Sequence, residues 1–230
     1  IDYLQEKLDQ EDFNQEYIAS VGVEFLRSGM GFPGDWKRSE EEILPFRRQM
    51  ADIASKYYPL NPEELLSVRI FSTIHLARAE DRLEDFDSAI SHYREAIELF
   101  QSVDETQRDS LSGSAKGHVA QAMENLGLLA GKREDWEEAE KMYREAMDLW
   151  NREGVNLGIP GHLLANRVAL RLSLLYKDTG RESDPQRRKW LEQVKENLEP
   201  LEAKGEIPEG LKWVLRFAKN QLKLVEEKKK

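Results

Sequence analysis

Residues Ala115 to Trp150 read AKGHVAQAMENLGLLAGKREDWEEAEKMYREAMDLW, and the fold is decided there. Val119, Ala122, Met123, Leu126 and Ala130 recur at helical spacing, and Trp136, Ala139, Met142, Tyr143, Ala146 and Leu149 do so again. Gly131 and the run Lys132-Arg133-Glu134-Asp135 separate the two sets and allow a tight reversal, with Asp135 placed to cap the second helix. Small residues stand where two helices must approach closely: Gly127 and Ala130 on the first, Ala139 and Ala146 on the second. The spacing predicts an antiparallel helix pair.

The same pattern occurs earlier in the chain. Asp85-Phe86-x2-Ala89-x3-Tyr93-x2-Ala96 matches Asp135-Trp136-x2-Ala139-x3-Tyr143-x2-Ala146, and both contain Tyr-Arg-Glu-Ala. Together with Met123-x2-Leu126-Gly127-x2-Ala130, this resembles the tetratricopeptide repeat, whose pattern runs W-x2-L-G-x2-Y, then A-x3-F, then P. The departures are Met123 for the opening aromatic, Ala130 for its Tyr and Asn151 for the closing Pro. The two copies lie 50 residues apart, against about 34 in the usual repeat. The surplus falls in the polar stretch from Gln101 to Gly117, read as extended helix ends plus a loop in a long-helix variant.

The resemblance implies an all-α fold, a right-handed α-α superhelix of helical hairpins closed by a C-terminal capping helix. Within a single domain over 1–230, residues 1–58 are expected to form a degenerate helical pair. Its pattern is broken at Ser28-Gly29-Met30-Gly31-Phe32-Pro33-Gly34 and restarts at Ser39 with Ile43, Phe46, Met50 and Ile53 facing inward. A repeat over 61–102 opens at Asn61-Pro62-Glu63-Glu64, a cap followed by Pro and acid in the first turn. The central repeat covers 115–153. A degenerate repeat over 159–204 follows Gly158-Ile159-Pro160-Gly161 and restarts its second helix at Asp184-Pro185. Residues 207–228 form the cap, with Leu211, Val214, Leu215, Ala218, Leu222 and Val225 inward and Lys212, Arg216, Lys219 and Lys223 outward.

Composition narrows the class. In 230 residues, 34% are charged and 40% hydrophobic, and the net charge of −10 repels a phosphate backbone, so nucleic acid is not expected as a partner. The absence of cysteine excludes disulfides, thiol catalysis and thiolate metal sites. No run reaches the ~18 apolar residues of a membrane span. The ends, Ile1 and Lys228-Lys229-Lys230, are those expected of a trimmed segment, so a missing leader or anchor carries no weight. The expectation is a soluble, intracellular domain in an unspecified compartment.

Catalytic patterns are missing. His75, His92, His118 and His162 have no Glu three residues before them, and H-E-x-x-H, G-x-x-x-x-G-K-[ST] and G-x-S-x-G do not occur. The histidines read as surface or packing residues, the acidic runs as solvated helix faces, and no enzyme, cofactor or metal is expected. Trp136, Trp150, Trp190 and Trp213 read as core, with Trp36 exposed in its loop.

In the family the first helices line a concave groove that usually binds peptides. Their residues not needed for packing are His75, Arg78, Asp81 and Arg82, then Gln121, Glu124, Asn125 and Lys132, then Arg167, Arg171, Lys177 and Asp178. Six are basic and three acidic, in an acidic chain. The second helices carry the opposite sign. A basic groove with an acidic back suits an acidic or carboxylate-bearing peptide. Members that hold the acidic C-terminal tails of heat-shock chaperones use a five-residue carboxylate clamp. Asn125, Arg167 and Arg171 match it, whereas Ile74 and Arg78 replace its first-repeat Lys and Asn.

The expected function is therefore a non-catalytic interaction module, an adaptor, scaffold or co-chaperone-like protein. Its partner-binding residues are expected to be Arg78, Arg82, Gln121, Asn125, Arg167, Arg171 and Lys177. The alternative is a structural subunit that docks through its convex face or terminal helices into a larger assembly or a homodimer.

Overall fold

The structure, a computed structural model, describes residues 39–60 and 62–227. The helices expected over 1–27, the break at Gly29–Gly34, the loop residue Trp36 and the cap at Asn61 lie outside the described residues. Those described form nine α-helices and no strand beyond one isolated bridge, Asn156 to Pro160. The chain divides into two compact units at Leu111/Ser112.

In the first unit, α1 (Glu40–Tyr57) packs on α2 (Pro62–Arg82), and α2 on α3 (Phe86–Ser102). The start of α1 is set by a capping box. Ser39 Oγ accepts from the Glu42 N–H at 3.4 Å, and the Glu42 carboxylate accepts from the Ser39 N–H at 3.1 Å. Met50, Ala54, Tyr57, Leu65 and Val68 are buried together, with Phe46, Ile53, Tyr58 and Phe71 packed around them. The stretch 101–117 differs from expectation. Asp104 caps a separate short helix, α4 (Glu105–Ser110), by accepting from the Gln107 N–H at 2.8 Å. The connection is therefore partly helical, because its Asp and Ser residues cap rather than merely loop.

The second unit holds α5 (Gly113–Lys132), α6 (Trp136–Trp150), α7 (Gly161–Asp178), α8 (Pro185–Lys204) and α9 (Glu209–Glu227), each packed on the next. The loop between α6 and α7 is fixed against the start of α5, where the Asn156 N–H donates to the Gly113 carbonyl at 3.2 Å. A Cβ on Gly117 would lie 2.3 Å from the Asn156 carbonyl oxygen, and one on Gly161 2.3 Å from that of Trp150. Only glycine permits these approaches.

One turn is built at the ends of α2, α5 and α7, and it recurs after α8, where the Glu206 N–H donates to Leu201 O at 2.8 Å around Gly205 (φ 72). The Asp85 N–H donates to Glu80 O at 2.9 Å, Asp135 N–H to Ala130 O at 3.0 Å, and Arg181 N–H to Tyr176 O at 2.7 Å. Each closes a 6→1 helix end around one left-handed residue: Glu84 (φ 63), Glu134 (φ 62) or Gly180 (φ 74). Asp85, Asp135 and Asp184 then cap the following helix with their side chains. In the first two the Asp-aromatic signature marks the reversal, the Asp both ending one helix and starting the next; in the third Arg181 ends the helix and Asp184 starts the next.

Among the tryptophans, Trp150 and Trp190 are fully buried and Trp136 is half-buried. Trp213 is a correction to the sequence reading. It is exposed, because Leu211, Val214, Leu215 and Ala218 supply the buried face of α9 and Trp213 falls on the opposite side.

Candidate functional site

The first helices of successive hairpins in the second unit, α5 and α7, carry a polar cluster that begins with a buried carboxylate. Glu124 is 1% exposed. Burying such a group costs several kcal/mol unless it is paired and hydrogen-bonded, so partners are obligatory. Arg167 donates from Nε to Glu124 Oε2 at 2.7 Å and from Nη2 to Oε1 at 2.8 Å, a bidentate fork. Arg171 adds Nε to Oε2 at 3.1 Å, and Trp150 adds Nε1 to Oε1 at 3.3 Å. Tyr143 lies against Arg171. Burial raises its phenol above the ordinary range, with Arg171 pulling the other way.

Two guanidiniums have ten N–H donors and Glu124 takes three of them. The cluster keeps a net charge of +1, and Arg167 and Arg171 remain 22% and 24% exposed. Gln121 and Asn125, half-buried, flank Glu124 on α5 at i−3 and i+1.

The other expected site residues are placed differently. Arg78 and Arg82 sit one turn apart on α2 in the first unit, and Arg82 is ion-paired with Glu40. Lys177 is exposed at the end of α7, six residues past Arg171 and roughly 120° around the helix from it. The structure thus joins Arg167 and Arg171 at Glu124, with Gln121 and Asn125 beside it along α5, while Lys177 lies on another side of α7. Glu124, expected from the sequence to line the groove, is buried instead. The signal for it was the Arg167/Arg171 pair at i,i+4 together with Trp150, whose N–H can reach a carboxylate.

Two further clusters use the same logic. Buried Glu80 lies 2.6 Å from His92 Nδ1 and 3.7 Å from Arg48, so His92 is the partner of a buried carboxylate. Glu140 on α6 accepts from Arg144 Nη2 at 2.7 Å, Tyr176 Oη at 2.8 Å and Arg181 Nη2 at 2.8 Å. Burial pushes the Glu140 carboxyl up, but those three donors outweigh it and hold it below the usual carboxylate range. Among the described residues no three His, Asp or Glu side chains gather as metal ligands. No described helix is long and apolar enough to cross a membrane.

Two tetratricopeptide repeat models match the sequence, one over residues 119–153 and another over residues 74–102. The chain carries tetratricopeptide repeats. They make it a protein–protein interaction module, a class that is typically non-catalytic. Among solved structures, the crystal structure of BtubC (BKLC) from P. vanneervenii is similar, with a TM-score of 0.54 at 20% identity. The likeness covers 81% of this chain and 65% of that one, and at such identity it concerns the fold alone. No curated protein matches the sequence. In the two matched tetratricopeptide repeats, α2–α3 and α5–α6 are the helical hairpins, and Glu124 lies on the first helix of the second.

Proposed function

We propose that this repeat protein binds an acidic or C-terminal segment of a partner protein along the α5–α7 face. Arg167 and Arg171 supply the charge and Gln121 and Asn125 the neutral hydrogen bonds. The observation that supports this reading is the pinning of both arginines by one buried carboxylate. A free surface Arg loses up to about 2 kcal/mol of rotamer entropy when a ligand fixes it. Here Glu124 has fixed both beforehand, and it leaves a positive charge and unspent N–H donors for a partner. Lys177 contributes less, since it faces away, and Arg78 and Arg82 belong to the first unit, where Arg82 already has Glu40.

A second reading, in which the cluster only stiffens the hairpin stack, is separable by experiment. Replacing Arg167 and Arg171 by glutamate would set three carboxylates together and test folding rather than binding. The neutral variant Glu124→Gln/Arg167→Gln/Arg171→Gln keeps hydrogen-bonding groups and removes the net charge. A fluorescein-labelled Asp/Glu-rich peptide with a free C-terminal carboxylate, titrated by anisotropy, is expected to bind this variant about tenfold or more weaker than the wild type, about 1.4 kcal/mol. Amidation of the peptide terminus reports whether the carboxylate itself is read. Equal affinity of the peptide for a folded neutral variant and for the wild type would refute the proposal.

A further inference from the structure

The outer face of α9 carries an unsatisfied apolar stripe. Trp213, Phe217 and Leu224 are 44%, 37% and 51% exposed, among the few large hydrophobic side chains so exposed in the described residues. At 100° per residue they fall within an arc of about 40°, which Asn220 widens to about 60°. The stripe is about 16 Å long, three helical turns. The buried residues Leu211, Val214, Leu215, Ala218 and Leu222 occupy the opposite side, so α9 is apolar on two faces and the described residues cover only one of them.

Charge on this helix is one-sided as well. Arg216, Lys223, Lys212 and Lys219 all lie on the same flank of the stripe, between about 60° and 120° from Trp213. The other flank, Gly210 and Gln221, is neutral. Lys212 is paired with Glu209, and Lys219 is held by Glu199 at 2.8 Å and Glu202 at 2.9 Å. Glu202 and Glu209, which line one surface depression with Trp213, are therefore already engaged. Arg216 and Lys223, the cations closest to the stripe, are exposed and make no ion pair among the described residues, whereas Glu209, about 40° from Trp213 on the same flank, is taken up by Lys212.

We infer that α9 docks an amphipathic helix of a partner protein, at least three turns long, whose apolar stripe is edged on one side by Asp or Glu. The apolar stripe supplies the contact, and the one-sided cations set the register and the sign of the partner. A second copy of this chain fits less well. An antiparallel pair of α9 helices sets Arg216 and Lys223 against their own counterparts, a like-charge contact. This surface does not involve Glu124, Arg167 or Arg171, so it stands or falls apart from the α5–α7 proposal.

Three synthetic helical peptides of about four turns test the inference. All share one Leu stripe, edged by Glu, by Lys or by Gln. Calorimetric titration into the full chain is expected to rank them Glu, then Gln, then Lys. Arg216→Glu/Lys223→Glu should weaken the Glu-edged peptide roughly tenfold or more and strengthen the Lys-edged one. Phe217→Ser should weaken all three, with circular dichroism checking that these exposed substitutions leave the helices intact. In the Glu124→Gln/Arg167→Gln/Arg171→Gln variant, which removes the charge of the α5–α7 face, the same ranking of the three peptides should persist. Absent binding, or affinities blind to the peptide's edge charge, would overturn the inference. So would sedimentation velocity giving a wild-type dimer that Phe217→Ser dissociates, since the stripe would then belong to self-association.

Discussion

The hairpins over 74–102 and 119–153 share one skeleton and bury different carboxylates. Shifted by 50 residues, Asp85, Ala89, Tyr93 and Ala96 coincide with Asp135, Ala139, Tyr143 and Ala146. Among the positions where they differ, two pairs change together. Ile74 and Phe100, both buried, are replaced by Glu124 and Trp150, which hydrogen-bond at 3.3 Å. Glu80 and His92, in contact at 2.6 Å, are replaced by Ala130 and the buried Met142. Neither hairpin changes one member alone. A buried polar group is tolerated only with its partner, so each exchange is of a pair. The difference also separates two uses of charge. His92 and Arg48 meet Glu80, whereas Glu124 recruits two arginines and leaves a surplus positive charge on a partly exposed face.

The sharpest way to break this comparison is Arg167→Ala/Arg171→Ala, which strands Glu124 in the interior with only Trp150. A loss of about 3–5 kcal/mol is expected in urea unfolding. Adding Glu124→Ile and Trp150→Phe, which installs the first hairpin's apolar pair, should restore most of it. A quadruple variant as unstable as the double would mean that the arginines act by packing alone.

The converse exchange is gentler. His92→Met should cost about 1–2 kcal/mol, because Glu80 loses its nearest partner and keeps Arg48. Glu80→Ala/His92→Met, the second hairpin's solution, should lie within about 1 kcal/mol of the wild type, since removing both partners of a buried pair is often neutral. Thermal or urea unfolding of the two variants measures this directly.

The turns should respond alike in both hairpins. Glu84→Gly and Glu134→Gly relieve a left-handed L-residue and are each expected to add about 0.5–1 kcal/mol, net of the chain entropy glycine gains when unfolded. Gly180→Ala should lose a similar amount. Opposite effects at Glu84 and Glu134 would mean that the two turns are not equivalent.

The smallest effect is in pH. Position 140 is Glu where the first hairpin has Ile90, and the Glu140 carboxyl is held low in the folded state. A depressed folded pKa contributes stability that is present above the ordinary carboxylate range. It is lost as pH falls through the folded value. Glu140→Gln should therefore lower stability slightly at neutral pH and converge on the wild type as pH falls, flattening the acid side of the stability profile.

Much of the fold was legible because its determinants are local. The Asp-aromatic dipeptides mark the reversals, small residues mark the close approaches, and the apolar period gives the inward faces of α1, α3 and α6. The short helix α4 escaped because Asp and Ser that cap a helix look like loop residues in sequence. Trp213 was misread for a related reason. On a helix apolar along two stripes, periodicity cannot say which stripe is covered, and tertiary packing decides. At the candidate site, the charge excess on the first helices was readable from composition. Its organisation around Glu124 was not, because no local spacing distinguishes a solvated glutamate from one buried beneath arginines on the next hairpin.

The most direct measurement is an NMR titration that follows the arginine Nε–H resonances while the Asp/Glu-rich peptide is added. Movement of the Arg167 and Arg171 signals in step with binding, with Arg216 on α9 unmoved, is the predicted result. Saturable binding of the peptide with both signals stationary would contradict the claim that the pair pinned by Glu124 receives the partner.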